Sequence, residues 1–155
     1  MSLIRILVDG YSLLHAWPDL ARGRTRHSEM AREALIAVLT QYQTSLGTPI
    51  TVFFDGQGST THVWQKAAVN SVEVIFSRSG QTADDLIERA VCRFQPFGPV
   101  LVITDDYAER DTVTNFGGLF SGCATFIAQI GDELDQANRD RHQYNRREQA
   151  RFRNH

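Results

Sequence analysis

Ile4-Arg5-Ile6-Leu7-Val8-Asp9-Gly10 is a nearly continuous apolar run that ends on an aspartate and a glycine. A strand with one wet face alternates apolar and polar residues. A run without alternation belongs to a strand covered on both faces, the mark of a parallel sheet. Residues 50–54, 72–76 and 100–104 repeat the pattern, and 124–127 form a fifth, weaker candidate strand. Helical patterns lie between them. In residues 28–46, Met30, Ala34, Leu35, Val38, Leu39, Tyr42 and Leu46 fall at helical spacing, with Ser28 as N-cap and Gly47 as stop. Leu86, Ile87, Ala90, Val91 and Phe94 make a second stripe behind Thr82, and a third helix is expected from Asp106 to Gly117 and Gly118. Alternating strands and helices argue for a doubly wound α/β sandwich with a mostly parallel central sheet. Residues 56–69 read as a loop or short helix.

The 155 residues suit one domain, with 42 % hydrophobic and 22 % charged side chains. The expected division is a domain over residues 1–138 and an arginine-rich helix or tail over 139–155. The overall charge of −2 hides an asymmetry: the last seventeen residues hold six arginines against Asp140 and Glu148, a net +4, which leaves −6 for the rest. Apolar runs are strand-sized, well short of the ~20 residues that span a bilayer, and no leader-like stretch precedes the first strand. A cytoplasmic protein with no membrane contact is expected. Cys92 and Cys123 lack CxxC spacing and read as packing residues.

The carboxylates follow the strands. Asp9 ends the first, Asp55 the second, and Asp105 and Asp106 the fourth, while Asp84 and Asp85 open the helix after the third. In a parallel sheet these ends share one rim, where ligands bind at the reversal of strand order. Singly, each aspartate also reads as a turn or cap residue. Together they repel one another unless a cation sits among them, and oxygen-only ligands select Mg²⁺ or Mn²⁺. Glu88, four residues after Asp84, shares its helix face and reads as a supporting ligand; Asp85 is expected to pair with Arg89.

Leu7-Val8-Asp9-Gly10-Tyr11-Ser12, Val52-Phe53-Phe54-Asp55, Gln81-Thr82-Ala83-Asp84 with Ile87-Glu88-Arg89, and Thr104-Asp105-Asp106-Tyr107 occur in the order found in YacP-like NYN domains, and residues 3–130 resemble that branch of the PIN-like nucleases. The resemblance implies a PIN-like three-layer α/β/α sandwich and a metal-dependent endoribonuclease leaving 5′-phosphate and 3′-hydroxyl ends. It implies Asp9, Asp84 and Asp106 as catalytic metal ligands, with Asp55 a fourth. Ser12 stands where the family has asparagine, Asp105 where it has a small polar residue, and Ser121 is kept in a changed setting; these three read as supporting residues. No histidine lies in a motif position to act as a base.

RNA, in single-stranded or loop regions, is the expected partner. Arg22, Arg24 and Arg26 are candidate phosphate contacts and Trp17 a candidate stacking platform. A ribosome or RNA-processing partner and a homo-oligomer stay open, as does a catalytically weak or inactive RNA-binding adaptor. A phosphoacceptor receiver would need a lysine late in the sheet, where Lys66 does not fall. A serine-hydrolase elbow would need a second glycine after Ser12.

Overall fold

The computed structural model describes residues 2–21, 28–56, 63–65 and 71–153. In chain order the elements are β1 (Arg5–Asp9), α1 (Gly10–His15), α2 (Pro18–Ala21), α3 (Glu29–Leu46), β2 (Ile50–Phe54), β3 (Val63–Gln65), β4 (Glu73–Phe76), α4 (Ala83–Phe94), β5 (Val100–Ile103), α5 (Tyr107–Asn115), β6 (Leu119–Ser121) and α6 (Cys123–Arg153). The strands form one sheet in the order β3-β4-β2-β1-β5-β6. Five run parallel, and β3 pairs antiparallel with β4 at the edge.

Side-chain alternation shows why the strands lack polar positions. Ile6, Val8, Val52 and Phe54 enter the core beneath α1, α3 and α6, whereas Leu7, Phe53, Val100 and Val102 enter the one beneath α4 and α5. Both faces are buried, and each fully buried Val, Leu, Ile or Phe contributes about 1.5–3 kcal/mol. The result is the expected three-layer α/β/α sandwich. The chain enters at β1 in the middle of the sheet, builds β2 and β4 on one side and β5 and β6 on the other, so strand order reverses beside β1.

Helix limits follow local chemistry. Ser28 accepts a hydrogen bond from the Ala31 amide at 3.1 Å, and α3 ends at Gly47, whose φ of 85° is the left-handed conformation glycine tolerates. Thr82 and Asp85 close a capping box at α4: each side chain accepts from the other's backbone amide at 3.1 Å. Asp85 is thus a cap residue, and the expected pairing with Arg89 gives way to the nearer backbone donor.

Several expectations change. Residues 124–127 belong to α6, because Cys123, Phe126 and Ile130 are buried at helical spacing; the fifth parallel strand is β6, just upstream. The segment read as loop or short helix contains β3. Cys123 is buried as expected, but Cys92 is exposed. The arginine-rich segment is a continuation of α6 as far as Arg153, so residue 138 lies within a helix. Tyr42 meets Phe126 edge-on, with ring centroids 5.5 Å apart, and pins the first turns of α6 against α3. Among the described residues, no helix is long and apolar enough to cross a membrane.

Gly10 couples the core to the rim. It follows Asp9 directly, is buried, and a Cβ there would collide with the Phe54 ring. Gly10→Ala is expected to lower unfolding free energy by about 1–3 kcal/mol through overpacking, read from denaturant melts; an unchanged midpoint would contradict the close approach.

Candidate functional site

Asp9, the last residue of β1, is also the N-cap of α1. Its Oδ1 accepts from the Ser12 amide at 3.5 Å, and its Oδ2 accepts from the Thr104 hydroxyl at 3.2 Å. The same hydroxyl oxygen accepts from the Asp106 amide at 3.2 Å. Asp106 in turn caps α5, accepting from Ala108 at 3.0 Å. Fully buried Thr104 therefore joins the two strand ends that flank the reversal of strand order.

Asp55 lies just past β2, and its Oδ1 accepts from the Ala83 amide at 2.8 Å at the start of α4. That contact sets the first turn of α4 against the rim and brings half-buried Asp84 close enough to Asp9 and Asp106 for their charges to act on it. Asp9, Asp55 and Asp84 line a cleft of about 400 Å³, together with Ser12, Thr82 and exposed His15. The expected ligands Asp9, Asp84, Asp106 and Asp55 thus gather at one rim. His15, which no motif singled out, reaches the cleft wall from the last turn of α1.

The supporting residues divide. The Ser12 hydroxyl oxygen accepts from the Asp105 amide at 3.0 Å and from the Cys123 thiol at 3.6 Å. The Asp105 carboxylate accepts from the Cys123 amide at 2.8 Å, at the first residue of α6. Ser12 and Asp105 form a strap that ties α1 and the end of β5 to α6, and Asp105 spends its Oδ1 on that helix start. Ser121 is half-buried and donates to the Gly122 carbonyl at 3.3 Å. Half-buried Glu88 lies one turn beyond Asp84. Trp17 packs half-buried against the α1–α3 core, and Tyr11 lies on Phe54 at 5.0 Å between ring centroids. Tyr107 is 75 % exposed beside Asp106. Arg22, Arg24, Arg26 and Lys66 lie outside the described residues.

Burial and mutual repulsion push the acids toward neutrality. Asp9 rises to about 6, chiefly from burial, against the Ser12 and Thr104 hydrogen bonds that favour its charge and with Asp55 and Asp106 adding repulsion. Asp84 rises to about 7, from burial and then the charges of Asp9 and Asp106. Sequence reading passed over a further acid, Glu109, one turn into α5 from Asp106. It is only 3 % exposed and is raised to about 8, by burial first and then by Asp84, Glu88, Asp9 and Asp106. The only signal was the three-residue spacing from Asp106, which puts both on one helix face.

The donor set suits a hard divalent cation, being all oxygen and strongly self-repelling. As the side chains stand, no group of three His, Cys, Asp or Glu among the described residues is arranged to hold a metal ion. Any cation must draw the carboxylates inward, displacing the proton that burial and repulsion favour on Asp84.

A raised carboxyl pKa means that the folded protein keeps a proton the unfolded chain has released, so stability falls as pH rises between the two values. For Asp9, Asp84 and Glu109 that window runs from about pH 4 to about pH 8. The cation-free protein is expected to lose melting temperature across the window and to level off above it, with a shallower fall in Asp84→Asn. Identical slopes in thermal melts of the two proteins would contradict the coupling.

The family model of the YacP-like NYN domain matches residues 6–155. The chain is 30 % identical over 126 residues to the uncharacterized protein YacP of Bacillus subtilis (strain 168), covering 81 % of this chain and 74 % of that protein. Two crystal structures of Rae1 (YacP) from Bacillus subtilis are similar to it. One, at 26 % identity, superposes with a TM-score of 0.74 over 97 % of this chain and 85 % of the other. The second, a mutant at 28 % identity, gives 0.72 over 87 % and 79 %. With the aspartate rim, the sheet order and this match over nearly the whole length in agreement, the chain belongs to the YacP-like NYN domain family, within a nuclease-like superfamily.

Proposed function

We propose that this protein is a metal-dependent endoribonuclease. The observation that carries the reading is the convergence of Asp9, Asp84 and Asp106, with Asp55, at the reversal of strand order, where among the described residues the largest influences on Asp9 and Asp84 include no basic side chain. Such a cluster is costly for stability alone and suits a site that takes a cation and a polyanion in turn.

Asp9, Asp84 and Asp106 would hold Mg²⁺ or Mn²⁺, with Asp55 beside them. When bound, such an ion supplies an activated water and offsets the charge that builds on a phosphodiester under in-line attack. The protein's own groups do the positioning. Thr104 orients Asp9 through a hydroxyl also fixed by the Asp106 amide, so the two carboxylates keep a set relation. Asp55 anchors the first turn of α4 and thereby sets Asp84. Exposed Tyr107 offers a ring for base stacking at the rim, a role that suits single-stranded RNA better than a closed duplex. The arginines of α6, with Arg22, Arg24 and Arg26, offset the acidic body for an approaching RNA.

A non-catalytic RNA-binding adaptor is the second reading, and one observation favours it. The Ser12 hydroxyl is engaged by Asp105 and Cys123 within the protein, and no three carboxylates stand ready around one ion. Cleavage of single-stranded RNA by purified protein separates the readings. The nuclease reading expects cleavage in Mn²⁺ or Mg²⁺ and none in chelator, lowered by about a hundredfold or more in Asp9→Asn, the scale on which loss of one electrostatic stabiliser acts. RNA binding without metal-dependent cleavage would instead support the adaptor.

A further inference from the structure

We infer that Glu109 is a further carboxylate of the cation site, with its Oε1 turned toward the ion or its hydration shell from the α5 side. The inference deepens the reading above and rests on the rim being a cation site. Glu109 is 3 % exposed, and its Oε1 is buried without a hydrogen-bond partner. Burying a carboxyl oxygen unpartnered costs several times what one hydrogen bond returns, so a position chosen for packing would be apolar, like Val113 one turn along the same helix.

Helix capping does not account for it. An acid in the first turn of α5 is favoured by the helix dipole, but by only about 0.3–1 kcal/mol, and that gain needs no burial. Exposed Glu109 would collect it equally well. Among the described residues, the groups with the largest effect on Glu109 are Asp84 and Glu88 from α4, Asp9 from β1 and Asp106 from its own helix cap, all acidic. Asp84 is common to both sets: the charges of Asp9, Asp106 and Asp55 act on it, and it acts most strongly of the four on Glu109. A buried orphaned oxygen within reach of four acidic side chains is compensated by a cation, and its place on α5 carries the site from the cleft toward the α4–α5 layer.

Manganese binding to the full chain without RNA, followed by the electron paramagnetic resonance of free Mn²⁺, tests this apart from any activity. Glu109→Gln keeps the shape and removes the charge. It is expected to weaken Mn²⁺ binding on the order of tenfold or more, and to melt above the unsubstituted protein at pH 8 without metal because the repulsion is gone. Asp111→Asn, the same charge change at an exposed position of α5, is expected to leave Mn²⁺ binding unchanged. Equal Mn²⁺ affinity in Glu109→Gln and the unsubstituted protein would overturn the assignment of Glu109 while leaving the cation reading in place. No Mn²⁺ binding by the unsubstituted protein would overturn both. Should Gln not fold, Glu109→Asp retracts the charge by one methylene: weakened binding supports the assignment and unchanged binding overturns it.

Discussion

The parallel strands of a sheet covered on both faces all end at one rim, and that constraint governs both the core and the site of this protein. Ile6 and Val8 pack to one side of β1 and Leu7 to the other, so the strand has no wet face on which to carry polar chemistry. Function is displaced to the strand ends. There Asp9 and the Thr104-Asp105-Asp106 turn meet across the reversal of strand order, while Asp55 and Asp84 meet where β2 abuts the start of α4.

The hydrogen bonds at the rim do two jobs with the same groups. Asp9, Asp55 and Asp106 each cap or anchor a helix start, which satisfies amides that would otherwise be orphaned. In doing so they fix the carboxylates near one another and accept the repulsion that follows. Asp105 shows the contrast: its carboxylate turns to the start of α6, away from the cluster, and through Ser12 it links that long helix to α1. Ser12 is thus committed to holding the scaffold together. Its backbone amide still serves Asp9.

Those features that depend on strongly periodic or fully buried segments were legible in the sequence. β1, β2, β4 and β5 are nearly continuous apolar runs, interrupted only by Arg5, Thr51 and Glu73 before the closing Asp9 of β1, and α3 and α4 carry a complete stripe between recognisable caps. β6 was not legible because three residues, one exposed and two half-buried, carry no pattern of their own, whereas residues 124–127 beyond it fit a strand or a helix equally. The helices α1 and α2, six and four residues long, are too short to show a helical stripe. For the site, strand-end position found Asp9, Asp55, Asp84 and Asp106, but no spacing rule says which member of the 105–106 pair faces the rim. That depends on the Thr104 hydroxyl and the start of α6, both tertiary. Glu109 escaped because one glutamate in a polar helix looks solvated until the packing of α5 against α4 encloses it.

Whether the acidic rim is a cation site is tested most directly by anomalous diffraction from a crystal of the full chain soaked in Mn²⁺. The expected result is an anomalous peak among Asp9, Asp84 and Asp106. A rim without such a peak at saturating Mn²⁺ would contradict that role.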